Sequence, residues 1–177
     1  MSILAFAASH SRQSINKQLV TYAASLLQQQ AGIAVQIADL NDFVLPIYSV
    51  DLEEAHGIPE LAQQFYQNIG AADGLLISFA EHNGLYAAVF KNLMDWMSRI
   101  DVKLYQHKPT VMLATSPGPG GAQRVLGIAC DSAAHFGADL RARLSVPDFY
   151  NQFDQQAGRL TSIELDQALQ QAVAHLV

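Results

Sequence analysis

The run Ile3-Leu4-Ala5-Phe6-Ala7 constrains the fold more than any other stretch of this chain. Five consecutive apolar residues without alternation describe a strand buried on both faces, as in sheets covered by helices on each side. A turn rich in hydroxyls follows, with Ser9, His10, Ser11, Arg12, Ser14 and Asn16 inside eight residues. Beyond Ser14 the apolar positions Ile15, Leu19, Tyr22, Ala23, Leu26 and Leu27 recur near a period of 3.6, the stripe of an amphipathic helix. Free backbone N–H groups and the positive end of a helix dipole meet in such a turn. It therefore suits an anion, phosphate above all. Helix capping by Ser14 explains the same turn equally well on local grounds.

The rest of the chain repeats the alternation. Gly32 stops the first helix, and Ile33–Ile37 reads as a second strand. A long loop is expected from Asp39 to Pro59, with Leu45-Pro46-Ile47-Tyr48 too apolar for a solvated linker. A second helix runs from Pro59 to Gly70 and a third strand from Gly74 to Phe79. The loop Ala80-Glu81-His82-Asn83-Gly84 leads into a third helix expected from Leu85 to Ile100. Thr110–Thr115 is the fourth strand and delivers the chain to Ser116-Pro117-Gly118-Pro119-Gly120-Gly121. A helix from Ala122 to Phe136 and a strand from Ala138 to Val146 follow, then an irregular segment to Arg159 and a last helix from Ser162 to Leu176.

Strands alternating with helices imply right-handed βαβ crossovers and a parallel sheet. Five such strands fit an α/β doubly wound, flavodoxin-like sheet of order 2-1-3-4-5 with helices on both faces, in one domain spanning residues 1–177. Half the residues are hydrophobic and 15% charged, as that architecture requires. The net charge of -6 argues against nonspecific nucleic-acid binding and against an anionic membrane surface. Cys130 is the single cysteine, so no intramolecular disulfide can form, and its apolar surroundings predict burial. The histidines lack metal-ligand spacing, and no metal is expected. No basic segment precedes the first apolar run and no run is long enough to span a bilayer, so a soluble cytoplasmic location is expected.

Ligands of doubly wound sheets bind beyond the C-terminal strand ends, at the switch point between strands one and three. Four segments meet there: the serine turn, Pro46–Asp51, Ala80–Gly84 and Ser116–Gly121. Neither GxGxxG nor GxxxxGK[ST] follows any strand, which disfavours a Rossmann dinucleotide or P-loop site. A single phosphate held by hydroxyls and amides fits a mononucleotide such as FMN.

These residues resemble the NAD(P)H-dependent FMN reductases of flavodoxin-like fold, a family that includes quinone, chromate and azo-dye reductases. Ser9-His10-Ser11-Arg12-Gln13-Ser14-Ile15-Asn16 is similar to the family's phosphate turn, with Ser11 standing where many members carry arginine. Pro46-Ile47-Tyr48 with Asp51 resembles the loop that borders the flavin after strand two. Glu81-His82-Asn83-Gly84 resembles the loop against the isoalloxazine ring, with His82 in place of the usual tyrosine and Ala80 in place of proline. Phe90-Lys91-Asn92-Leu93-Met94-Asp95-Trp96 is close to the helix that follows it, and Ser116 to Gly121 to the glycine loop near the flavin edge. The resemblance implies FMN bound by Ser9, Ser11, Ser14, Ile15, Asn16, Pro46, Tyr48, Glu81, His82, Asn83, Gly84, Ser116 and Gly118. It implies hydride transfer from NADPH or NADH through the flavin to a small-molecule acceptor such as a quinone, flavin or azo compound. Because the chemistry is the flavin's, no catalytic acid–base pair is expected.

Lys91 and Asp95 read as an ordinary i,i+4 pair. The same helix carries Tyr86, Val89, Phe90, Leu93, Trp96 and Met97, more apolar surface than one sheet face needs, which suggests the seam of a homodimer or a dimer of dimers. Two other functions fit the fold: a non-enzymatic flavodoxin-type FMN electron carrier, in which Tyr48 could stack on the flavin, and a binding module without flavin.

Overall fold

Along β1 (Ser2–Ala8) alternate side chains enter two different cores. The computed structural model describes all residues, Met1–Val177. After β1 come α1 (Ile15–Ala31), β2 (Ala34–Ala38), a 3-10 turn (Leu40–Asp42), α2 (Val50–His56), α3 (Glu60–Ala71) and β3 (Gly74–Phe79). A hairpin of β4 (Glu81–His82) and β5 (Leu85–Tyr86) leads to α4 (Ala88–Met97) and β6 (Pro109–Thr115). The chain ends with α5 (Gln123–Ser132), β7 (Asp139–Val146), α6 (Phe149–Gln152), the hairpin β8 (Phe153–Asp154) and β9 (Arg159–Leu160), and α7 (Ile163–Ala174).

The sheet order is β2-β1-β3-β6-β7, with all four pairings parallel. Counted over its five strands this is the expected 2-1-3-4-5. Leu4 and Phe6 face one side, against Phe65 and Ile69 of α3, Phe90 and Leu93 of α4, and Val125 of α5. Ile3, Ala5 and Ala7 face the other, against Leu19, Val20 and Ala23 of α1 and Leu169 and Val173 of α7. Gly32 ends α1 in the left-handed conformation, φ 63°, with its N–H on the Gln28 carbonyl.

Three segments depart from the sequence expectation. The stretch 39–59 is no continuous loop: Asp39 caps the 3-10 turn, and Ser49 caps α2 by accepting from Leu52 N. The third helix starts at Ala88 rather than Leu85, because Asn83 (φ 55°) and Gly84 (φ 80°) form a two-residue turn that pairs His82 with Leu85. Asn-Gly between short strands is a strong hairpin signal, and here it outranks the helical pattern. The segment 147–159 contains α6 and the start of the β8–β9 hairpin.

The apolar residues of α4 are used inside the chain. Phe90, Leu93, Trp96 and Met97 are buried and Val89 half-buried, so the apolar surplus expected as a subunit seam is spent on this molecule's own core. Cys130 is half-buried rather than sequestered, and burial pushes its thiol pKa up while Arg143 opposes the shift. No helix is long and apolar enough to cross a membrane.

Candidate active site

The strand register brings the unusual loops to one edge. Ala8 pairs with Phe79, Phe79 with Ala114, and Phe6 with Ala38, so the segments after β1, β3, β6 and β2 all open there. Serine side chains shape the first of them. Ser9 is 8% exposed and its Oγ accepts from Ser11 N at 3.2 Å; Ser14 is 7% exposed and its Oγ accepts from Lys17 N at 3.2 Å, capping α1. Each hydroxyl spends a lone pair on the backbone and keeps its proton to donate outward. Ser11 is exposed at the same turn, and Ile15 is half-buried against the α1 core. The first turn of α1 has no acidic residue, as in α4, α5 and α6 and unlike α2, α3 and α7. The dipole of this long helix is thus left for an external anion.

Asn16 does something other than expected. It is 3% exposed; its Nδ2 donates to Thr115 O at 3.1 Å, while its Oδ1 accepts from Thr115 N at 3.0 Å and from Ser78 Oγ at 2.8 Å. The carboxamide faces the sheet, so Asn16 ties the turn to β3 and β6 instead of pointing out of it as a phosphate ligand.

The loop after β2 is fastened to α4. Asn92 Oδ1 accepts from Tyr48 N at 2.9 Å, and Asn92 Nδ2 donates to the carbonyls of Leu45 (3.3 Å) and Pro46 (3.0 Å). Trp96 Nε1 donates to the same Pro46 carbonyl at 2.8 Å, and its ring meets the Tyr48 ring edge-on at 5.0 Å. Tyr48 Oη donates to Glu53 Oε2 at 3.0 Å, and Arg99 Nε pairs with that carboxylate at 2.8 Å. Burial and the Glu53 acceptor push the Tyr48 phenol up, while Arg99 holds Glu53 below the usual carboxylate range. Asn92 and Trp96 were missed as site residues, although i,i+4 spacing puts both on one helix face. Lys91 and Asp95 form the expected pair at 2.6 Å.

At the β4–β5 hairpin His82 and Asn83 are exposed and Gly84 half-buried, with Arg124 packed beside the turn. Glu81 is turned away from this surface: its Oε2 accepts from Val125 N at 3.0 Å, capping the start of α5. The Glu81 carboxylate is thus engaged as a cap of α5. In the glycine loop Ser116 Oγ donates to Gly118 O at 3.2 Å, and the same carbonyl accepts from Asp148 N at 3.0 Å. Gly118 and Gly120 have no neighbour within 4 Å of where a Cβ would stand, so their backbone lies open. Gly121 (φ 56°) admits no side chain, since a Cβ would sit 2.2 Å from Ser145 Oγ.

Fold and site together define a flavodoxin-like protein whose anion-ready turn lies at the switch point of the sheet. More narrowly, the chain belongs to the NADPH-dependent FMN reductase family, whose sequence profile matches residues 1–142. It is 33% identical over 109 residues to an NAD(P)H-dependent FMN reductase of Pseudomonas aeruginosa, covering 59% of this chain and 57% of the relative. It is 38% identical over 111 residues to a 2-hydroxy-1,4-benzoquinone reductase of a Burkholderia species, covering 62% of this chain and 57% of that protein. These matches thus span little more than half the length of either relative. Among solved structures the chain resembles the flavoenzyme NAD(P)H:(acceptor) oxidoreductase FerB of Paracoccus denitrificans, with a TM-score of 0.76 and 25% identity over 99% of this chain and 94% of that one. An azoreductase of Bacillus anthracis shares the fold, with a TM-score of 0.70 at 19% identity over 98% of this chain and 97% of that one.

Proposed function

We propose that this chain is an NAD(P)H-dependent FMN reductase, a single flavin-binding domain over residues 1–177 that reduces a small acceptor such as a quinone, flavin or azo compound. The observation that carries the reading is the α1 N-terminus, which lacks acids and is flanked by Ser9 and Ser14 with protons free to donate. Phosphate fits there: hydrogen bonds to a charged partner contribute roughly 1.5–3 kcal/mol each, enough to compensate for the absence of a lysine in the turn. The open backbone of Gly118 and Gly120 and the exposed Asn83 fit a flat ring lying along the edge. FMN, when bound, supplies the redox chemistry, taking hydride from the nicotinamide and giving it to the acceptor. The chain's part is to hold the phosphate at Ser9, Ser11 and Ser14, to border the ring with Pro46, His82 and Gly84, and to present the backbone of Ser116–Gly118.

The electron-carrier reading is disfavoured by Tyr48, whose hydroxyl is held by Glu53 and whose ring packs edge-on against Trp96. That phenol is not free to lie flat on a flavin. Exposed Val44 and Ile47 on the loop after β2, with Val50 at the start of α2, favour a homodimer through that surface, and the cytoplasm suits the chain's small, diffusible acceptors. Light scattering at micromolar concentration tests the dimer.

The visible spectrum of the purified protein, followed by anaerobic NADPH, tests the activity. A yellow protein that bleaches and recovers with a quinone supports the reductase. A yellow protein that stays oxidised points to a carrier, and a colourless chain that cannot be loaded with FMN overturns both.

A further inference from the structure

A cleft of about 870 Å3 lies not along the strand ends but beside α1. It begins at the phosphate turn, with Arg12, Gln13 and Ser14, and follows one face of the helix to Ser25. Eleven residues at ~1.5 Å each make it roughly 16 Å long. Its far wall is the segment of α6 and the β8–β9 hairpin, which carries Tyr150 and Gln155. That wall is anchored to the glycine loop, since Asp148 N donates to Gly118 O at 3.0 Å and Phe149 N to Ser116 O at 3.1 Å. The cleft and the flavin edge are therefore held in one frame, and they share the turn.

We propose that this cleft binds an adenylate group, the adenosine 5′-phosphate half of a dinucleotide whose other half lies on the strand edge. The proposal rests on the flavin reading. No acidic residue lines the cleft, in a chain with 16 acids and 10 bases. Lys17 is paired with Asp39, whereas Arg12 has no carboxylate partner and offers its planar fork to a second phosphate. Tyr150 is 60% exposed, a ring face on which a purine can stack. Gln13 and Gln155 supply amides of the kind that read the N6/N7 edge of adenine. Two dinucleotides present this group. FAD would continue directly from the flavin phosphate into the cleft, and NADPH would reach it from a nicotinamide stacked on the ring.

The full chain, stripped of flavin, is titrated with FMN and with FAD by quenching of flavin fluorescence. If FAD is the source, the wild type binds FAD at least as tightly as FMN, and Tyr150→Ala or Arg12→Gln weakens FAD fivefold or more against FMN. If NADPH is the source, the ratio stays level, while in the FMN-loaded protein both variants raise the KM for NADPH at unchanged kcat. Effects under twofold in both arms overturn the proposal while leaving the flavin site standing. A chain that binds neither FMN nor FAD overturns both readings.

Discussion

The carboxamide of Asn16 exchanges two hydrogen bonds with the backbone of Thr115, 99 residues away, and takes a third from Ser78. The end of β6 and the start of α1 are thereby locked in register by one buried side chain. Asn16→Ala leaves the Thr115 N–H and C=O and the Ser78 hydroxyl without this partner in a dry environment. We expect a loss of at least about 3 kcal/mol in urea unfolding, since three groups are orphaned and each costs about 1–3 kcal/mol. A change below about 0.5 kcal/mol would show that water replaces the amide and that Asn16 is no clamp.

Ser14 separates a cap from an anion site. Ser14→Asp keeps a good N-cap, so stability should stay within about 0.5 kcal/mol of wild type. The same carboxylate would sit where the phosphate is expected, and FMN should no longer survive gel filtration. Retained flavin in a stable Ser14→Asp protein would move the phosphate elsewhere.

Trp96→Phe keeps the ring packing but removes the donor to Pro46 O, and Asn92→Ala removes all three bonds to residues 45–48. Hydrogen exchange of the Tyr48 amide should quicken at least tenfold in Asn92→Ala, as expected when a bond of about 1.4 kcal/mol is lost. In Trp96→Phe the change should be smaller. Unaltered protection in both variants would mean that α4 does not hold the loop.

Asp39 ties β2 to α1 through Lys17. Burial alone raises its pKa, but the hydrogen bonds from Lys17 and Asn41 outweigh it and bring the carboxyl from 3.8 down to about 2. A group depressed on folding contributes its stability above pH ~4 and loses it as the pH falls through about 2. Asp39→Asn should therefore cost up to about 1 kcal/mol at pH 7, because the Lys17 and Asp39 side chains keep 37% and 28% of their surface in water, and little near pH 2. Urea midpoints at pH 7, 4 and 2 give the comparison, and a penalty that grows toward acid contradicts it.

The parallel sheet was legible because Ile3–Ala7 and Leu75–Ile77 are apolar without alternation, a pattern few other folds accept. The phosphate turn was legible for a similar reason, as hydroxyls clustered between a strand and a helical stripe. The direction of side chains was not. Nothing local distinguishes an asparagine that faces outward from Asn16, whose partners Thr115 and Ser78 are distant in sequence. Glu81 likewise reads as a loop carboxylate until α5 brings Val125 N to it. The apolar stripe of α4 could not be divided between core and surface before the sheet and α3 were in place. The β4–β5 hairpin is different: Asn83-Gly84 announced it, and the helical pattern after it obscured the signal.

β1 has no polar side among its buried positions, so the usual guard against slippage, exposure of greasy residues on the wrong face, is missing. Shape has to take its place. Ala5 and Ala7 lie beneath α1, where Ala23 and Ala24 are also fully enclosed, while Phe6 fills the opposite layer beside Phe65. A shift by one residue would drive the phenyl ring into a space built for methyl groups and leave a void behind it. Fidelity of assembly in the central strand is therefore a question of volume rather than polarity, and enlarging Ala5 should harm this chain as much as charging it.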